Sequence, residues 1–356
     1  MRLSVNNTQF NLAALADTLL NPQLSFDQRC SALDDFAAHC AAVTGITPDR
    51  TFSAWAEDSV LTSGVAINPA AAAFCIKDYQ RTLQFIAGIQ AALCALDQRL
   101  PARPIRVLYA GCGPFATLLL PLLSQWSEGR LDCHLLDIHA QSLHSVQALV
   151  ADCQLEAINL SYHCADACHW SSAERFDLII AETLQKALEQ EPQWAVTANL
   201  SRLLKPQGIF IPEQITLNLW AAHWDQEQRY SQRQDPADLP ALVDEFERHF
   251  LHCAVQLRAD TVLLQRPIAD PRALVAQVVD LGQFSVADSI PAHRFDLIVA
   301  TTLHIYADIH LHEYDCDLTR SYKFYDWSPL APGQSFRVYY ELGLYPRVRI
   351  DRLDRG

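Results

Sequence analysis

The residues best suited to chemistry begin at Gly111-Cys112-Gly113-Pro114, which follows the apolar run Val107 to Ala110 and leads into Phe115. Two glycines flanking one residue let the backbone turn tightly and pass close to a ligand, and a proline suits the first turn of a helix. The segment lacks the third glycine and the lysine of a triphosphate-cradling loop, which argues against nucleoside triphosphates. Asp137 ends the next apolar run, where in an open parallel sheet its carboxylate stands beside the glycine turn and can accept hydrogen bonds from two ribose hydroxyls. Asp166 follows a third such run and is placed to accept from an adenine amino group. A dinucleotide-dependent oxidoreductase also fits this pattern. Further along, Glu182 and Glu191 offer paired carboxylates that would neutralise a cation, and His304, His310 and His312 offer a base or substrate contacts. His163, Cys164, Cys168 and His169 are dense in metal-ligating types, but they lack a second cysteine pair at zinc-site spacing; no metal is expected.

Positioning these groups requires strands that alternate with helices. The pattern predicts strands at Ile105 to Ala110, Cys133 to Asp137, Ile158 to Cys164 and Phe176 to Ala181, and another from Ile209. Helices are predicted between them at Phe115 to Gln125, Gln141 to Cys153 and Trp194 to Leu204, which together indicate a parallel sheet covered on both faces. Before this unit the spacing of Phe10, Leu12, Leu15, Leu19, Leu33 and Phe36 predicts a helical cap, and Ala70 to Leu96 predicts one long helix. After it, Asp225 to Asp244 reads as a polar helical arm. The alternation at Val275 to Val279, Phe295 to His304, Ser321 to Tyr325 and Phe336 to Tyr340 reads as an antiparallel β domain. The expected division is 1–100, 101–217 and 218–356.

Composition bounds the partners. With 356 residues, 50% of them hydrophobic, the chain can bury a large core. A net charge of −14 with scattered basic residues disfavours nucleic acid. No run approaches the roughly 20 apolar residues of a membrane span, and the segment from Met1 to Phe10 lacks a secretory pattern. Eleven cysteines spread along the chain fit free thiols in a reducing compartment, so a cytoplasmic location is expected.

The order Gly111-Cys112-Gly113, Asp137, Asp166, Phe176-Asp177-Leu178-Ile179 and Leu204-Lys205-Pro206-Gln207-Gly208 resembles the class I methyltransferases that use S-adenosylmethionine (SAM). The resemblance implies an α/β chain with a Rossmann-like SAM domain, an N-terminal helical cap and a C-terminal antiparallel β-barrel-like domain. It also implies SAM as cofactor, held by Gly111, Gly113, Asp137 and Asp166. The run Lys77-Asp78-Tyr79-Gln80-Arg81-Thr82-Leu83-Gln84-Phe85 resembles the cofactor-covering helix of the protein arginine methyltransferase branch. This implies that Arg81 pairs with the carboxylate of the methionine portion, as a guanidinium fork can, and that Phe74 and Phe85 pack over the cofactor. Glu182 and Glu191 have the nine-residue spacing of that branch's substrate-clamping glutamates. By that resemblance they are catalytic and the arm implies a homodimer; His304, from the histidine cluster, is an alternative base. Two loops depart from the branch. Asp317-Leu318-Thr319-Arg320-Ser321-Tyr322 stands where a threonine-histidine-tryptophan loop belongs, and Thr183-Leu184-Gln185-Lys186 replaces the usual aromatic and glycine residues. The expected acceptor is therefore a small amine- or guanidine-containing metabolite. Aminoalkyl transfer, cyclisation of SAM and non-catalytic SAM binding remain alternatives.

Overall fold

A computed structural model describes residues 10–51, 58–231 and 247–353. Its central element is a five-stranded parallel sheet. The strands are β3 (Ile105–Ala110), β4 (Leu131–Asp137), β5 (Asn159–Cys164), β6 (Phe176–Ala181) and β7 (Leu204–Ile211), in the order β5-β4-β3-β6-β7. All six residues of β6 are buried, and β3 is buried at every position but Arg106. Such near-continuous apolar runs are what strands covered on both faces require.

At the N-terminus, helices Leu12–Leu20 and Phe26–Thr44 form the cap. The second starts at Ser25, whose hydroxyl accepts the Gln28 N–H while the Gln28 side chain accepts the Ser25 N–H, and it stops at Gly45 with φ of +73°. A hairpin absent from the sequence expectation follows, made of β1 (Ser59–Leu61) and β2 (Gly64–Ala66). The helix expected from Ala70 to Leu96 is divided. Pro69–Phe74 is capped by the Asn68 side chain, a short 3-10 turn spans Cys75–Lys77, and the chain restarts after Asp78 as Tyr79–Arg99. This covering helix joins the two halves of the molecule: it packs on the parallel sheet and, at Gly88, meets Ile305 so closely that an added Cβ would lie 2.5 Å from the Ile305 side chain.

The helix expected at Phe115 to Gln125 shrinks to Leu120–Leu123. Pro121 explains this, because a helix already under way at residue 117 would lose a hydrogen bond there and clash with the proline ring. Ala116 instead takes φ of +42°.

Beyond Ile211 the chain leaves the parallel sheet. One antiparallel sheet has the order β13-β12-β8-β9, from β8 (Gln214–Ala222), β9 (His249–Leu257), β12 (Asp296–Tyr306) and β13 (Ile309–Leu311), with β14 (Tyr322–Lys323) paired to β12. A second has the order β10-β11-β15-β16, from β10 (Ile268–Ala269), β11 (Gln277–Ser285), β15 (Ser335–Leu342) and β16 (Arg347–Leu353). Their inner faces share one core with the covering helix, including Leu217, Val299, Ile305, Phe336 and Tyr340. Of the polar arm, Trp224–Ser231 is helical; its continuation, 232–246, lies outside the described residues, as do Met1 to Gln9.

Asp177 on β6 ties three segments together. It accepts from both terminal nitrogens of Arg103 (2.7 and 2.6 Å), from Lys205 Nζ (2.9 Å) and from the Arg106 N–H (3.0 Å). Burial opposes its ionisation, yet these donors outweigh burial and lower its pKa to about 2. A depressed carboxylate pKa adds stability above the ordinary value near 3.8 that is lost as pH falls toward the folded value. Asp177→Asn should therefore cost about 2 kcal/mol at pH 7, and urea unfolding should show the gap to wild type closing to about half by pH 3.

Candidate active site

A cleft with an empty volume of about 980 Å³, its open mouth included, lies at the C-terminal ends of β3, β4 and β6. The glycine turn forms its floor. Gly111 and Gly113 have φ of +71° and +62°, a left-handed conformation that disfavours other residues. At Gly111 a Cβ would lie 2.7 Å from the Glu182 carbonyl oxygen, so the turn and the loop after β6 touch backbone to backbone. At Gly113 the nearest atom to such a Cβ is 3.6 Å away.

Asp137, 8% exposed, is fixed by two backbone donors: the Gly113 N–H to Oδ2 and the His139 N–H to Oδ1, each 2.9 Å. Each oxygen keeps acceptor capacity toward the cleft. Asp166 lines the cleft near its side; its oxygens meet the Cys168 N–H at 2.8 Å and His169 Nδ1 at 3.0 Å.

The other end is built around Arg81. Its guanidinium pairs with Glu182, and both side chains are nearly buried, at 9% and 11% exposure. Burial alone would depress Arg81, but Glu182 and the neighbouring acidic groups hold it well above its ordinary value. Glu191 lines the same end, and burial together with the Glu182 charge pushes its pKa up to about 8 despite Arg81. The loop carrying both glutamates is held at its root by Gln193. The Gln193 Oε1 accepts from the Thr183 N–H and hydroxyl, while its Nε2 donates to the Ala181 carbonyl and Thr197 Oγ1. Lys186, from the same loop, turns away and sits 5.5 Å over the Tyr322 ring. The divergent Asp317 turn meets the covering helix, where the Asp317 N–H donates to Asp78 Oδ2. Burial raises the Asp78 pKa to about 6.

The structure thus gathers Arg81, Gly111, Gly113, Asp137, Asp166, Glu182 and Glu191 around one cleft. It does not bring His304 there. Side chains alternate along β12, so Ile305 faces the covering helix. His304 turns the other way, stacking on His310 at 4.4 Å and facing Glu213 at 3.3 Å. Phe85 is fully buried core and Phe74 lies beneath Arg50, so neither lines the cleft. His163, Cys164, Cys168 and His169 do not converge either: His163 meets His134, His169 meets Asp166, and Cys164 meets the Ile138 carbonyl. The sequence reading also missed the hairpin residues Leu61, Val65 and Ala66, which line the cleft. Their signal was the Ser63-Gly64 turn between short apolar runs.

A parallel sheet with a glycine turn on its first strand, an acid ending the second and a guanidinium in the covering helix is the arrangement of a class I methyltransferase domain. Residues 107–208 match the family model described as Methyltransferase domain. This segment is a methyltransferase domain of the kind that uses SAM as its cofactor. Among solved structures, it is similar to the Trypanosoma brucei PRMT1 enzyme-prozyme heterotetrameric complex with AdoHcy. That match has 14% identity over 78% of this chain and 96% of the other, with a TM-score of 0.49. A second match is protein arginine methyltransferase 10 of Arabidopsis thaliana, at 13% identity over 74% of this chain and 85% of the other, with a TM-score of 0.47. No curated protein matches the sequence.

The donor set of the cleft fits the cofactor. Asp137 offers free lone pairs to ribose hydroxyls, and the Arg81 fork has donors beyond the one given to Glu182. At Gly113 an added Cβ would meet the Ala72 side chain alone, at 3.6 Å.

Proposed function

We propose that the protein methylates an amine or guanidine nitrogen of a small metabolite, in the cytoplasm and as a homodimer. The observation that carries this reading is the charge at the acceptor end of the cleft. Glu182 and Glu191 face one guanidinium, Arg81, and among the described lining residues no other lysine or arginine is present. Arg81 is engaged by Glu182, so Glu191 is held protonated up to about pH 8, and a cationic acceptor is the partner that would stabilise its ionised form. The apolar side chains of Leu61, Val65, Ala66 and Ile67 in the cleft lining support a small acceptor over a long polar chain. The cysteines, most of them buried as thiols, support a reducing compartment. No described helix is long and apolar enough to cross a membrane.

When bound, SAM supplies a methyl group already activated by its sulfonium, so the chain's part is alignment and removal of water. In this reading Asp137 accepts from the ribose, Asp166 from the adenine, and the free face of Arg81 holds the methionine carboxylate. Glu182 orients the acceptor nitrogen, and Glu191 takes its proton.

The test is mass spectrometry of S-adenosylhomocysteine formed from SAM with a panel of amines, guanidino compounds and arginine-containing peptides. A small cation that is consumed and methylated supports the reading. Turnover confined to peptides would reassign the acceptor, and methylthioadenosine as the product would replace methyl transfer altogether. With the acceptor in hand, kcat/KM should rise with pH through about 8 as Glu191 ionises. Glu191→Gln should lower the rate roughly 100-fold, the scale of a lost general base, and should remove that limb. A limb that survives in the variant assigns it to another group.

A further inference from the structure

Away from the cleft, between the helical cap and the parallel-sheet domain, three metal-ligating side chains converge. They are His39, Asp152 and Cys153, whose ligand atoms all lie within 4.8 Å of one another. His39 belongs to the second cap helix, Phe26–Thr44; Asp152 ends the helix Ala140–Asp152, and Cys153 is its C-cap. His39 Nε2 and Asp152 Oδ2 are 2.9 Å apart across 113 positions of chain, a meeting that no sequence spacing could announce. Phe10 stacks on the imidazole at 4.4 Å and limits its rotation. The side chains of His39 and Asp152 keep 20% and 33% exposure, so the group opens to solvent, while the Cys153 thiol is buried. Cys40, next to His39 and fully buried, is close enough that the Cys153 charge adds to burial in raising its pKa. The helices supply a second observation. The group stands at the C-terminal end of Ala140–Asp152, where unpaired carbonyls leave partial negative charge that favours a cation. Neither that helix nor Phe26–Thr44 carries a basic residue in its last turn.

We propose that His39, Asp152 and Cys153 bind a zinc ion that clamps the helical cap to the parallel-sheet domain. An imidazole nitrogen, a carboxylate oxygen and a thiolate are donor types that zinc takes, at about 2.0–2.3 Å. At such lengths the ligand atoms of a tetrahedral site lie roughly 3.3–3.8 Å apart. His39 and Asp152 must therefore part slightly and Cys153 must close in, changes that side-chain rotation supplies. The thiol selects the metal, because magnesium and calcium take oxygen ligands. On binding, the Cys153 S–H bond breaks as the zinc–sulfur bond forms; the proton passes to solvent and no electron is transferred. Water completes the tetrahedron from the exposed side. None of the three residues lines the cleft, so the ion acts on the stability of the folded chain and not on methyl transfer.

The experiment uses the full chain, reduced and stripped with a chelator, and cobalt(II) as a spectroscopic substitute for zinc. One equivalent of cobalt should give the visible bands of a four-coordinate ion and a thiolate-to-cobalt band in the near ultraviolet, and zinc should abolish both. His39→Gln and Cys153→Ser should each weaken metal binding more than roughly 100-fold, beyond the roughly 10- to 100-fold lost with a residue that only orients a ligand. The double variant Cys94→Ser with Cys164→Ser removes the two exposed thiols and should bind as wild type does. Zinc should raise the melting temperature of wild type and of this double variant, and leave that of His39→Gln unmoved. X-ray absorption on the zinc-loaded wild-type chain depends on no variant folding, and should show a sulfur neighbour at about 2.3 Å beside nitrogen and oxygen. A zinc shell without sulfur, or a thiolate band that survives Cys153→Ser, would overturn the site. Undiminished binding in His39→Gln would reduce the group to a hydrogen bond between two helices.

Discussion

Arg81→Ala should abolish detectable SAM binding and also weaken the fold. The guanidinium has two tasks. It neutralises Glu182, which is only 11% exposed, and in the proposed site its remaining donors hold the methionine carboxylate. Removing one member of a buried ion pair leaves the other charge unsolvated, a change that typically costs about 3–5 kcal/mol. The loss of charge-assisted hydrogen bonds to the ligand should weaken binding by at least roughly tenfold for each bond. The two effects separate in the double variant Arg81→Met with Glu182→Leu. Replacing both charges by apolar groups of similar volume should restore most of the stability, while SAM binding stays lost. Denaturant unfolding and titration calorimetry on the three proteins decide the matter: a single variant that binds SAM as wild type does would place the carboxylate elsewhere.

The second large effect is expected at Gly111. Alanine there must adopt φ near +71° and place its Cβ 2.7 Å from the Glu182 carbonyl oxygen and 2.8 Å from Thr183 Cγ2. The left-handed conformation alone costs about 1–2 kcal/mol. The overlap is with backbone, so the glycine turn and the glutamate loop must move apart, although the Glu182 N–H still seeks the Ala110 carbonyl at 3.2 Å. That movement disturbs the cofactor floor and Glu182 together, and a displacement of about 1 Å is enough to lower kcat/KM roughly 100-fold. Two control positions isolate the causes. Gly129 has φ of +72° with nothing within 4 Å of an added Cβ, so Gly129→Ala carries the strain alone. Gly113→Ala adds the cleft environment without a backbone overlap, since the nearest atom lies 3.6 Å away. The expected order of lost activity is Gly111→Ala, then Gly113→Ala, then Gly129→Ala. Equal losses at all three would mean that strain, rather than contact with the glutamate loop, sets the requirement for glycine.

Arg81 and Glu182 also show how two separate readings met in one interaction. The sequence suggested a carboxylate partner for Arg81 in the cofactor and a cationic partner for Glu182 in the acceptor. In the structure they pair with each other across 101 positions of chain. In the proposed site one contact therefore joins the cofactor end to the acceptor end, and substitutions at the two residues should not act independently.

By itself the sequence determined the parallel sheet, the glycine turn and the acids at the strand ends. These features are local: apolar runs buried on both faces mark β3, β4 and β6, and adjacent strands of a parallel sheet bring Gly113 and Asp137 together without further information. Tertiary structure decided what depends on packing between distant segments. Pro121 and the fit of the glycine turn shortened a helix that periodicity extended to Gln125. Strand alternation at β12 turned Ile305 inward and His304 away from the cleft. Strands of three residues are too short for a periodic signal, so the hairpin emerged only where Gly64 lets its backbone rest on the glutamate loop. The pairing of Arg81 with Glu182 has the same origin, because a charge on a helix selects its partner from whatever the fold brings within reach.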